Sequence, residues 1–128
     1  MRYTIAAFGE AERGEFQTAF FCQTVEQLEN YLGTPPKDSL GMMLSIQALM
    51  YDRDLIFFRV KEEGYSAEDY LYGLNLLENQ HLFSEIHAIA MPGVGDRSIL
   101  QASEPLCELY QSMLITTEAD LYDVLTHA

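Results

Sequence analysis

A mostly parallel α/β fold is predicted by two features of this sequence. The second half alternates three times between a short apolar run and a helix-like stretch, with the runs at residues 54–60, 86–91 and 113–116. That alternation favours parallel strands joined by right-handed crossovers. The first half opens with two strand-like runs, 2–9 and 15–22, joined by a polar turn at Glu10–Gly14. A strand, a glycine-containing turn and a strand make an N-terminal antiparallel hairpin, placed at a sheet edge.

Each element has its own signal. Phe16, Thr18, Phe20 and Cys22 alternate onto one face of the second strand. Thr24 opens a helix, and Gln27 completes a capping box. Val25, Leu28, Tyr31 and Leu32 supply the apolar stripe of that helix. Gly33 ends it and Pro35-Pro36 prevents its continuation. Residues 39–51 allow two readings. Leu44, Ile46, Ala48 and Met50 alternate as in a strand. The Met, Leu, Gln and Ala content and a Ser39 N-cap favour a buried helix, which is the expectation here. The alternative is a hairpin turning at Asp52-Arg53.

Residues 54–60 are apolar on both faces, as a covered central strand requires. Lys61–Gly64 form a loop, and Ser66 caps a helix over 67–79, with Tyr70, Leu71, Leu74 and Leu77 facing inward. A strand over 86–91 leads through the loop Pro92–Asp96 into a helix interrupted near Pro105. Ile99, Leu100, Leu106, Leu109 and Tyr110 are its expected inner residues. A short strand at 113–116 precedes a last helix capped by Thr117. The sum is one domain over residues 1–128: a three-layer, Rossmann-like, mostly parallel sheet with helices on both faces.

Composition narrows the partners. Twenty acidic residues against seven basic ones give a net charge of −13. Nucleic-acid binders need clustered Lys and Arg to displace counterions, and the basic residues here are scattered. Neither nucleic acid nor an anionic membrane is an expected partner. The acidity serves solubility, or presents an acidic face to a basic partner. Cys22 and Cys107 both sit among apolar residues and form no Cys-x-x-Cys pair. They read as small buried hydrophobes in a reducing cytoplasm. The first residues show no signal-peptide pattern, and the uncharged run 39–51 is too short to span a bilayer.

In an open parallel sheet, ligands lie beyond the carboxyl ends of the strands. Those ends carry Arg59 and Lys61, the Gly93-Val94-Gly95-Asp96 loop, and Thr117 with Glu118. Two glycines before a helix let a backbone approach a phosphate or carboxylate. The plain alternative is a tight turn with Asp96 as N-cap. Arg59 and Lys61 could supply countercharge to an anionic ligand, but in so acidic a chain they are expected to pair with Glu62, Glu63 or another nearby acid. The rim acids Glu62, Glu63, Asp96, Glu118 and Asp120 lack a metal-binding spacing, and the last two suit a helix first turn. His81, His87 and His127 have no ligand spacing. His87 is expected to be a hydrogen-bonded core residue in a buried strand. No nucleophile motif names a catalytic set, so the sequence leaves enzymatic activity open. The exposed tyrosines Tyr65 and Tyr72 suit an interface.

The expected function is binding of a small anionic or nucleotide-like ligand at the rim, by Arg59, Lys61, Gly93, Gly95, Asp96, Thr117 and Glu118. No metal is expected. The alternative is a non-catalytic, acidic interaction module, adaptor- or chaperone-like, working as a homodimer or with a protein partner.

Overall fold

The computed structural model describes residues 3–79 and 85–127. It holds a five-stranded sheet of β1 (Thr4–Gly9), β2 (Ala19–Cys22), β3 (Asp54–Arg59), β4 (Ala88–Ala90) and β5 (Met113–Ile115), in the order β2-β3-β1-β4-β5. The pairs β1–β3, β1–β4 and β4–β5 are parallel, and β2 runs antiparallel to β3. The antiparallel strand thus lies at an edge, as its charged surroundings predict. Its partner is β3, so β1 and β2 bracket β3 instead of lying side by side. The connection from Glu10 to Thr18 is long and bends at Gln17, whose φ is 57°. It is built to cross over the end of β3, and Phe16 bridges Arg59 on the way.

The strands' alternation divides the core into two layers. Ile5, Ala7, Leu55 and Phe57 face one side, covered by α1 (Val25–Leu32), α2 (Gly41–Met50) and α5 (Glu118–His127). Ala6, Phe8, Ile56 and Phe58 face the other, covered by α3 (Ala67–Asn79) and α4 (Arg97–Tyr110). Strands covered on both faces need apolar side chains throughout, which is why β3 shows no polar alternation. On the α3 side, Phe8 stacks between Phe58 and Tyr70, with centroids 4.9 and 5.3 Å apart.

Within the 39–51 segment Gly41–Met50 is a helix, buried on one face, and its periodicity is weak because the outward face carries Met43 and Met50 as well. Ser39 does not cap it. The N-cap residue is Leu40, which makes no side-chain cap bond. The α3 stripe is Tyr70, Gly73, Leu74 and Leu77, while Leu71 turns outward. Helix α4 runs unbroken through Pro105, and Leu109 is exposed. His81 lies outside the described residues. His87 precedes β4 and accepts the Thr4 N–H at Nδ1, 3.0 Å away, which fixes its other nitrogen as the protonated one.

At the end of β1 the backbone of Gly9 passes directly against Gly41, the first residue of α2. A Cβ on Gly9 would sit 2.6 Å from the Gly41 Cα. Because the obstacle is backbone, Gly9→Ala is expected to cost about 1–3 kcal/mol through overpacking. The measurement is the urea midpoint at constant m-value.

Candidate functional site

Neighbouring strands β1 and β3 send their connections toward opposite faces of the sheet, which makes the crevice between their carboxyl ends the usual ligand position of such a fold. In this chain the crevice is closed from within. The Glu63 carboxylate accepts the N–H groups of Leu40 at 2.7 Å, Gly41 at 2.9 Å and Glu10 at 3.3 Å. Glu10 returns the contact, its carboxylate accepting the Glu63 N–H at 2.9 Å. An internal carboxylate therefore occupies the N-terminus of α2, where an anionic ligand would otherwise meet free N–H groups.

The loops after β3 and β4 are likewise committed to structure. Asp69 accepts the Lys61 N–H at 3.0 Å, and Ser66 Oγ accepts the Glu62 N–H at 2.6 Å. Both side chains thus serve the preceding loop, although the sequence suggests Ser66 as a helix cap. The buried Tyr70 hydroxyl accepts the Gly64 N–H at 2.7 Å, and burial pushes its phenol well above the usual range. Gly64 and Gly93 both have positive φ, and a Cβ on Gly64 would meet the Gly93 carbonyl at 2.7 Å. Gly93 is thus a turn residue. Gly95 has open space around its Cα and no positive φ.

The remaining rim residues cap helices. Asp96 accepts the N–H groups of Ser98 and Ile99 at the start of α4. Its bond from the Ser98 hydroxyl, followed by those two, holds its carboxyl below the usual range. Thr117 accepts the Asp120 N–H at 3.2 Å, and Asp120 reaches back to the Thr116 N–H at 3.5 Å. Glu118 begins α5. These groups stand beyond β5, three strand positions from β3, or about 14 Å across the sheet. The structure does not gather Thr117 and Glu118 with Arg59 and Lys61. Among the described residues, no group of three or more His, Cys, Asp or Glu side chains is placed to hold a metal ion. Nor is any helix among them long and apolar enough to cross a membrane.

Arg59 and Lys61 are placed differently. They line an open pocket of about 380 Å³ together with Phe16, Pro35, Glu10 and Glu12. The pocket lies between the β1–β2 connection, the Thr34–Pro36 segment and the end of β3. Its outer wall is pinned to α1: the N–H groups of Glu12 and Arg13 both donate to the Leu32 carbonyl at 3.1 Å. Arg13 also donates to the carbonyls of Glu29 and Asn30 at 2.9 and 3.3 Å. The half-buried Arg59 lays its guanidinium 4.4 Å from the centre of the Phe16 ring. Its Nη1 donates to the Gly14 carbonyl at 2.7 Å. Its Nε is buried and meets no acceptor among the described residues. The Lys61 ammonium lies 5.8 Å from the same ring.

Among the described residues, no carboxylate comes within ion-pair range of Arg59 or Lys61. Glu62 and Glu63, the neighbours expected to neutralise them, do not. Glu63 is spent on the α2 N-terminus. Phe16, Glu10, Glu12 and the Pro35 wall are site residues that sequence reasoning did not select. Phe16 follows a strand-like alternation, and only its fold-over onto Arg59 reveals its role. The Pro35-Pro36 pair was visible merely as a helix stop.

The fold and site together define a doubly wound α/β domain with a mixed-charge pocket beside its first crevice. No protein-family model matches this chain, and no curated protein or solved structure matches it either.

Substitutions at two positions separate structure from site. Glu63→Ala strips three N–H groups of their acceptor and is expected to lower stability by about 2 kcal/mol, with Glu63→Gln losing roughly half as much. Gly95→Leu meets empty space and is expected to change stability by less than about 0.5 kcal/mol. Thermal denaturation of the three variants beside the parent chain checks both.

Proposed function

We propose that this chain binds a small anionic ligand in the pocket formed by Arg59, Lys61 and Phe16. The observation that carries the reading is the state of Arg59. Arg59 lines the pocket half-buried, with no carboxylate in ion-pair range among the described residues, so part of its hydration is lost without a counter-charge to replace it. A carboxylate or phosphate oxygen in the pocket would supply the counter-charge that no described carboxylate brings to Arg59 and Lys61, through a charge-assisted bond. Stacking on Phe16 and the Nη1 bond to Gly14 already fix the guanidinium plane, so little side-chain entropy is lost on binding. The volume lies near the lower end of ordinary ligand pockets, which suits a compact metabolite.

The test is a thermal-shift screen of small carboxylates and phosphates against the parent chain and Arg59→Met. A ligand at a hundredfold its Kd stabilises the folded state by about 2.7 kcal/mol, a rise of roughly 10 °C for a domain of this size. Arg59→Met is expected to abolish that rise while keeping the apolar cover over Phe16. A rise that survives in Arg59→Met, or none with any anion, removes the reading.

A second reading, an acidic interaction surface, draws on the opposite sheet edge. Leu109 and Met113 are 55% and 60% exposed there. The same edge also carries an open groove lined by Leu100, Leu114, Glu104 and Glu108. Sedimentation at micromolar concentration tests self-association through this edge: Met113→Lys should dissociate the dimer, and a monomeric parent chain ends the homodimer form of the idea.

A further inference from the structure

Resting on the anion reading of the Arg59 pocket, we infer that its ligand is a zwitterion of the amino-acid class, carrying a carboxylate, an ammonium group and an apolar body. Both signs of charge line the one pocket: Glu10 and Glu12 stand in it beside Arg59 and Lys61. They do not neutralise each other, for among the described residues the only ion pair that either acid makes is Glu12 with Arg13, at 3.7 Å and largely exposed. Arg13 is itself directed at the α1 carbonyls. One Glu10 oxygen accepts the Glu63 N–H, which anchors that carboxylate at the pocket.

A ligand of one sign fits such a lining poorly. A phosphate drawn to Arg59 also faces two carboxylates, in a chain whose net charge is −13. A simple amine faces Arg59 and Lys61. Like charges brought together in a partly desolvated cleft repel strongly enough to select against both. A carboxylate and an ammonium held a few bonds apart satisfy the two kinds of wall at once. Phe16, Pro35 and Pro36 offer the apolar surface that an aliphatic or aromatic side chain would cover. A cavity of about 380 Å³ accommodates an amino acid with room for water.

The experiment is calorimetric titration of the whole chain with phenylalanine and leucine. Each is set beside its carboxylate-only analogue (hydrocinnamate, isocaproate) and its amine-only analogue (phenethylamine, isoamylamine). One of the amino acids is expected to bind about tenfold more tightly than either of its halves, the size of one charge-assisted contact. Paired Glu10→Gln and Glu12→Gln substitutions are expected to erase that preference, weakening the amino acid while the carboxylate-only analogue binds as tightly as before or more tightly. Glutamine at position 10 still offers an acceptor to the Glu63 N–H, so the rim is kept. Glu12→Gln alone, on an exposed side chain, serves if the pair does not fold. Carboxylate-only analogues binding as tightly as the amino acids overturn the zwitterion and leave the anion reading standing. No binding by any of the six compounds overturns the zwitterion and leaves the anion reading to the screen of carboxylates and phosphates; an amine-only analogue binding most tightly overturns both.

Discussion

Three backbone N–H groups, from Glu10, Leu40 and Gly41, converge on the Glu63 carboxylate, and Glu10 answers with its own carboxylate on the Glu63 N–H. This interaction joins the end of β1, the start of α2 and the loop after β3 in one place. The close passage of Gly9 against Gly41 is possible only while those segments are held together. A helix that begins at a glycine, with no side-chain cap of its own, would leave its first donors unsatisfied. Here the remedy is supplied from the far side of the sheet, by a residue more than twenty positions along the chain.

Filling that crevice moves the available space sideways. The ordinary ligand position of a doubly wound sheet is taken by the chain's own carboxylate, so the open volume lies on the outer side of β3. The long β1–β2 connection wraps there and delivers Phe16 onto Arg59. The antiparallel edge strand is therefore part of the pocket's construction. By pairing with β3 instead of β1, β2 forces the preceding segment across the strand end that carries the two cations.

The acid surplus has a partial structural account. Glu63, Asp69, Asp96 and Asp120 all accept backbone N–H groups near strand ends or helix starts, where a negative charge is favoured by the local dipoles. Anchored at those donors, these four carboxylates stand away from Arg59 and Lys61. This explains how so acidic a chain keeps Arg59 and Lys61 outside ion-pair range of the carboxylates among its described residues.

By itself the sequence determined the layers. Strand–helix alternation after residue 53, the two-sided apolar run of β3, and the caps at Thr24, Asp96 and Thr117 are local signals, and local physics is enough to read them. It also marked Arg59 and Lys61, because cations at the end of so apolar a strand stand out. Tertiary structure alone decided which strand β2 joins, that Glu63 caps α2 in place of Ser39, and that Gly93 is a turn requirement while Gly95 is not. Those outcomes depend on contacts between segments distant in the chain. Residue spacing carries no information about such contacts, since a carboxylate finds its N–H partners only after the sheet has brought them together.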